Sequence, residues 1–169
     1  MTLGWYEGCP IFNEIAPDIR VKAAPDLLTR AVANLIRNAT KYAGNAGPVY
    51  ILAENQKDKI ALIFRDAGPG VPETMLDQLF EPFFRPEASR NRDSGGVGLG
   101  LAIVKTCIET CQGTVCACNG EPHGFTVTVT LTTGRWIHQM LILGQKKPDV
   151  CTGHTSGIFV KAASILCWI

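Results

Sequence analysis

An excess of charge of either sign is missing from this chain. Lys and Arg number 16 against 15 Asp and Glu, a formal net charge of +1. That balance offers no broad field for nucleic acid or for an acidic membrane surface, so neither is expected as a partner. No apolar run approaches the roughly 20 residues of a bilayer span, and the N-terminus carries no signal-peptide pattern. Only three histidines are present, His123, His138 and His154. None lies on an acidic, proline-flanked helix, and they read as ordinary surface or turn residues. The seven cysteines are odd in number and scattered. This argues against a complete disulfide framework and suits a reducing cytosol. Cys107, Cys111, Cys116 and Cys118 do cluster, but they lack a paired C-x-x-C knuckle and read as ordinary thiols rather than a zinc site.

What is there is enough for one domain with a real core: 169 residues, 46% hydrophobic and 18% charged. Residues 1–17, with two prolines, two glycines and isolated aromatics, are expected to form an irregular lead-in. Asp18 to Ala23 alternates as a short strand. The spacing of Leu28, Val32, Leu35, Ile36 and Ala39 predicts a helix from about Asp26 to Ala43 with that face on a core. Strands are expected at Val49–Glu54 and Lys59–Arg65, paired as a hairpin. A short helix should run from Pro72–Glu73 to about Leu79. Another is expected from Val97 to about Cys111, striped by Leu101, Val104 and Ile108 and stopped by Gly113. Thr114–Cys118 and Phe125–Thr132 read as strands, the second with Phe125, Val127, Val129 and Leu131 alternating with threonines. Antiparallel strands with helices on one face make an α+β, two-layer α/β sandwich with a mixed, mainly antiparallel sheet. Residues 134–169 form a C-terminal extension without sustained periodicity and with no role that the sequence assigns. Its apolar end must be packed or it will aggregate, and an artefactual origin for it stays open.

Two glycine clusters, Asp66-Ala67-Gly68-Pro69-Gly70 and Gly95-Gly96-Val97-Gly98-Leu99-Gly100, bracket an aromatic group (Phe80, Phe83, Phe84) and a polar run from Arg85 to Ser94. Glycines let a ligand approach the main chain. At a helix start they leave free N–H groups for an anion, most often phosphate. A nucleotide site under a flap follows as the first hypothesis. Asn34 and Asn38, one turn apart with Lys41 and Tyr42 beside them, are poor helix formers, which suggests a use beyond structure. A solvated polar face is the alternative. Arg85, Arg90 and Arg92 read equally as phosphate contacts or as solvated flap charges, and the phenylalanines as flap-anchoring core.

Taken in order, NLIRNATKYA (Asn34 to Ala43), DAGPGVP (Asp66 to Pro72), FEPFFR (Phe80 to Arg85) and GGVGLGLAIV (Gly95 to Val104) resemble the N, G1, F and G2 boxes of the catalytic ATP-binding domain of bacterial sensor histidine kinases. This is the HATPase or GHKL superfamily, with the Bergerat fold, shared with gyrase, the ninety-kilodalton heat-shock chaperone and MutL. The resemblance spans roughly residues 18–133. It implies ATP and Mg²⁺ as cofactors. Asp66 would accept the adenine amine, and Gly68 and Gly70 would let the base lie on the backbone. Asn38 would hold Mg²⁺, assisted by Asn34, since one protein oxygen suffices for this ion. Lys41 would serve the phosphates, making Asn38 and Lys41 the implied catalytic pair. Tyr42 would pack near the nucleotide. Gly96, Gly98 and Gly100, with the N–H groups of Leu99 and Leu101, would open the last helix against the phosphates. Arg85 and Arg92 would reach in from the lid, anchored by Phe80.

Two departures matter. Val97 stands where the family often has a hydroxyl. Asn34 stands where hydrolysing relatives carry a glutamate base, which favours phosphoryl transfer over hydrolysis. No H-E-x-x-[TS]-P-like acceptor motif is present. The resemblance therefore implies the ATP-binding half of a kinase, with little turnover alone. It would donate its γ-phosphoryl group to a His on a separate dimerisation domain and signal to a response regulator, from the cytoplasmic side of a membrane-anchored parent. An anti-sigma-type serine kinase and a non-catalytic nucleotide-binding module share the fold and are the alternative readings.

Overall fold

The computed structural model describes residues 2–6, 9–43, 46–86, 97–133 and 159–161. The long apolar stripe folds as helix α1, Pro25–Ala43, with Leu28, Val32, Leu35, Ile36 and Ala39 buried as expected. Pro25 suits a first helical position because its missing N–H would have had no partner there. Strands β4 (Val49–Gln56) and β5 (Lys59–Asp66) form the hairpin. Its connection is tighter than expected, only Lys57 and Asp58, because Gln56 already pairs with Lys59. Lys57 takes a φ of 54° to make the turn.

Strands β6 (Thr114–Asn119) and β7 (Phe125–Thr132) follow helix α2 (Gly100–Thr110). Among the described residues the main sheet has six strands in the order β1 (Thr2–Tyr6), β2 (Cys9–Asn13), β4, β5, β7, β6. Only the β2–β4 pair is parallel; every other pair in it is antiparallel. Helix α1 lies on β4 and β5, α2 lies on β6, and the two helices pack on each other. The core fills this single interface. Ile51, Ile60, Leu62, Val129 and Leu131 of the sheet meet Leu28, Val104 and Ile108 of the helices, all essentially inaccessible. Each such side chain contributes about 1.5–3 kcal/mol by leaving water.

Four expectations need correction. Residues 1–17 are not an irregular lead-in: Thr2–Tyr6 (β1) and Cys9–Asn13 (β2) join the sheet. The CPIFN stretch has no alternation to reveal it, and Pro10 argues against a paired strand. The ladder to β4 begins only at Ile11, so the N–H that Pro10 lacks falls outside it. Helix α2 starts at Gly100, not Val97, because Gly98 has φ 78° and cannot be helical. The segment after Pro72 is a 3-10 helix, Glu73–Gln78. At the end of α2 the left-handed residue is Gln112, not Gly113. Gln112 has φ 60°, and Gly113 donates its N–H to the Ile108 carbonyl at 2.9 Å. A β-carbon on Gly113 would stand 2.6 Å from the Thr130 carbonyl, so packing against β7 is what requires a glycine there.

Strand β3, Arg20–Lys22, pairs antiparallel with β8, Phe159–Lys161. The backbone of the C-terminal extension thus returns to the domain at that point. The rest of the extension lies outside the described residues.

Candidate functional site

Asp66 ends β5 on the helix-facing side of the sheet and is 5% exposed. Its Oδ1 accepts the Gly68 N–H at 2.8 Å, and the Phe125 N–H also donates to the carboxylate. Burial pushes the carboxyl up to about 6, and those two backbone donors hold it from going further. The ordinary value is 3.8, so the folded state holds the proton more tightly than the unfolded chain. This group therefore favours the folded state most below the unfolded value. It loses that contribution as pH rises through about 6. At neutral pH the fold carries a buried carboxylate that would gain from a further hydrogen-bond donor.

The glycines around Asp66 are set by contact. A β-carbon on Gly68 would stand 2.7 Å from the Tyr42 carbonyl oxygen and 2.8 Å from Asp66 Oδ1. The end of α1 is thus pressed onto the turn that follows β5. Gly70 has φ 71°, and a β-carbon there would lie 2.5 Å from Asn119 Oδ1. From the other side, Gly124 (φ 118°) would drive a β-carbon to 2.6 Å from the Asp66 carbonyl oxygen. Neither Asn119 nor Gly124 was singled out from the sequence. A lone Asn at a strand end and a Gly before a strand carry no signal of such distant partners.

The second half of the site is at the α1–α2 contact. A β-carbon on Gly100 would stand 3.3 Å from both amide atoms of Asn38 and 3.7 Å from Asn34 Oδ1. Asn34 donates its Nδ2 to the Arg30 carbonyl at 2.8 Å, which orients its amide. The first residue of α2 thus faces both asparagines. Helix α2 begins after Leu99 with no side-chain cap and no acidic residue in its first turn. Its leading N–H groups, including that of Leu101, are left to an outside acceptor. In the last turn of α1, Lys41 Nζ lies 5.2 Å from the Tyr42 ring centroid.

The aromatic group holds the second glycine cluster. Phe83 donates its N–H to the Gly98 carbonyl at 3.0 Å. A β-carbon on Gly98 would lie 2.9 Å from the Phe84 carbonyl oxygen. Phe80 is buried and Phe84 packs on the core, but Phe83 is 70% exposed at φ 65°, so it is not core. Arg85 is half-buried next to this contact. Arg90, Arg92, Gly95 and Gly96 lie outside the described residues.

On the helix-free side of the sheet, a depression of about 330 Å³ is lined by Pro48, Tyr50, Arg65, Asp66, Ala67 and His123. It includes neither asparagine nor Gly100 and shares Asp66 alone with the helix-side residues described above.

A family model described as histidine kinase-, DNA gyrase B-, and HSP90-like ATPase matches residues 23–135. The histidine-protein kinase BaeS of Escherichia coli K12 is 39% identical over 120 residues, 70% of this chain and 26% of BaeS. The sensor histidine kinase WalK of Bacillus subtilis is 34% identical over 116 residues, 68% of this chain and 19% of WalK. The chain thus spans about a quarter or less of the length of these relatives. Among solved structures, the mycobacterial sensor histidine kinase MprB superposes with a TM-score of 0.65 at 29% identity, covering 73% of this chain and 84% of that one. Full-length ShkA, solved in complex with AMPPNP, gives 0.61 at 25% identity, over 73% of this chain and 25% of that one.

Proposed function

Because the chain belongs to the histidine kinase-, DNA gyrase B- and HSP90-like ATPase family, we propose that it is the Mg-ATP-binding catalytic domain of a two-component sensor histidine kinase. The observation that carries this is the pairing of two half-sites: a buried Asp66 braced by backbone N–H groups, and Asn34 and Asn38 facing Gly100 at an uncapped helix start. Asp66 accepts the adenine amine, and guanine, with a carbonyl there, is refused. Gly68 and Gly70 give the base a backbone floor, beside Tyr42. The phosphates lie toward Gly98 and Gly100 and the N–H groups of Leu99 and Leu101, with Lys41, Arg85 and Arg92 as cations. Gly96 is assigned to the same phosphate set by the family pattern alone, and Phe80 anchors the near side of the Gly98 turn.

The donor set fits Mg²⁺. Asn38 presents an amide oxygen at a spot kept open by the missing side chain of Gly100, and Mg²⁺ prefers oxygen ligands and retains its waters. Bound there, the ion would supply charge neutralisation for the phosphates. Asn38 fixes where that charge sits, Lys41 adds its own, and Asn34 cannot act as a base toward water. What the chain contributes is positioning and electrostatics rather than covalent chemistry. The acceptor is a histidine on a dimerisation domain, and a response regulator follows. Among the described residues no helix is long and apolar enough to cross a membrane. The domain would work on the cytoplasmic side of a membrane-anchored parent. The relatives above are sensor kinases, which favours this over the anti-sigma type.

Asn38→Ala tests the proposal. In the unsubstituted chain, Mg²⁺ should tighten ATP binding at least ~10-fold, since charge-assisted contacts contribute about 1.5–3 kcal/mol. Asn38→Ala should lose most of that gain and keep its affinity for adenosine, both read by titration calorimetry. Labelled ATP and an isolated acceptor hairpin should yield phosphohistidine with the unsubstituted chain alone. ATP binding indifferent to Mg²⁺, or label appearing on a serine antagonist instead, would overturn it.

A further inference from the structure

Asn119 ends the edge strand β6 and belongs to no box of the family pattern. Its carboxamide grips the backbone of Val71 at both ends of one residue. The Val71 N–H donates to Asn119 Oδ1 at 2.9 Å, and Asn119 Nδ2 donates to the Val71 carbonyl at 2.7 Å, across 48 positions of sequence. The side chain thus behaves as a peptide group and adds one more rung to the sheet, made to a loop instead of a strand.

The position of that rung is specific. Asn119 pairs with Phe125, and Phe125 pairs with Asp66. Asp66, Phe125 and Asn119 form one cross-strand row on the helix-facing side, with two strand spacings, about 10 Å, between its ends. Asp66 holds the near end of the glycine loop through the Gly68 N–H, and Asn119 holds the far end through Val71. Gly70, between them, is pressed so close to Asn119 Oδ1 that no side chain fits, and it adopts φ 71°. The loop spanning Gly68 to Val71 is therefore stretched between two side chains of a single row.

We propose that Asn119 is the second positioning residue of the adenine pocket, acting through Gly70 and Val71 to hold the backbone floor level with the Asp66 carboxylate. The proposal rests on the nucleotide reading above. Without Asn119 the loop keeps its attachment at Gly68 and loses the one at Val71. The floor can then drift from the base while Asp66 stays in place. Among the described residues the side-chain hydrogen bonds of Asn119 go to Val71 and not to the phosphate end, built on α1 and α2, which should not notice.

The test compares four ligands that separate the two ends: adenosine, Mg-ATP, Mg-GTP and Mg-tripolyphosphate. Asn119→Ala should weaken adenosine roughly 10-fold, the range of one lost hydrogen-bonded restraint. The preference for ATP over GTP should shrink by a similar factor, and tripolyphosphate should stay within about twofold. Asn119→Asp keeps the volume and the bond from the Val71 N–H but sets an oxygen against the Val71 carbonyl. It should also weaken adenosine, and it serves if the alanine variant folds poorly. Adenosine affinity within about twofold of the unsubstituted chain in both variants would overturn the proposal. So would a loss shared equally by tripolyphosphate, which would mark Asn119 as a general stabiliser. An unsubstituted chain that binds neither adenosine nor ATP would instead sink the nucleotide reading itself.

Discussion

Asp66→Asn should weaken adenosine and ATP binding by roughly 10- to 100-fold and leave the chain folded. Hydrogen bonds to a charged group contribute about 1.5–3 kcal/mol, and the geometry leaves asparagine no good compromise. The carboxylate already takes the Gly68 and Phe125 N–H groups, and an adenine amine would be a third donor. An amide has one acceptor atom in place of two, so its NH₂ must face either a backbone N–H or the base. Thermal unfolding reads this directly. A ligand at a hundredfold excess over its Kd stabilises the native state by about 2.7 kcal/mol, and in the variant that gain should fall to between about 1.4 and 0.4 kcal/mol. The same carboxylate gives a pH signature. With its pKa pushed up to about 6, the ionised form that accepts the amine is depleted below that pH. Adenosine affinity should fall about tenfold between pH 7.5 and pH 5, and Asp66→Asn should flatten the profile. A variant that binds adenosine as tightly as its parent, or affinity that rises on acidification, would remove Asp66 from the pocket.

The second large effect is on stability and comes from a glycine in none of the four boxes. Gly124→Ala must place a β-carbon 2.6 Å from the Asp66 carbonyl oxygen while holding φ at 118°. The obstacle is backbone in a paired strand, so it cannot rotate away as a side chain would. Strain at such a φ alone costs about 1–3 kcal/mol, and the overlap adds to it. A loss of about 3 kcal/mol or more is expected, a fall in Tm of roughly 6–12 °C for a chain of this size. Gly120→Ala is the control. There a β-carbon would meet the His123 carbonyl at 3.1 Å, and no left-handed φ is involved. Equal melting temperatures for the two variants would mean that the β6–β7 turn yields more easily than this geometry allows.

These two positions mark where sequence reading stops. Helix α1 was legible because an apolar stripe repeats through five turns, and β7 because four apolar residues alternate with threonines. Gly68 and Asn38 were singled out by local chemistry, a glycine cluster and asparagines at poor helical positions, and the roles proposed for them and for Asp66 came from the order of the family boxes. Strands β1 and β2 were hidden, since five-residue stretches without alternation, the second holding a proline, look the same paired or unpaired. The start of α2 was misplaced because helical periodicity runs back through Val97, whereas Gly98 is turned aside by Phe83 and Phe84. Asn119 and Gly124 were out of reach for a further reason. Their partners, Val71 and Asp66, are distant in sequence and become neighbours only once β5, β7 and β6 lie side by side.

That last fact bears on the order in which the molecule assembles. The β4–β5 hairpin can close early across its two-residue turn, while the row Asp66–Phe125–Asn119 waits for strands that must first find each other over a long loop. Non-local pairings of this kind are the slow part of folding. The Gly68–Val71 loop, proposed above as the adenine floor, is then expected among the last features to form, after the transition state. Nucleotide should therefore prolong the life of the folded domain without hastening its formation. In stopped-flow measurements saturating adenosine should slow the unfolding rate and leave the refolding rate unchanged, and faster refolding would show that the floor is built early after all.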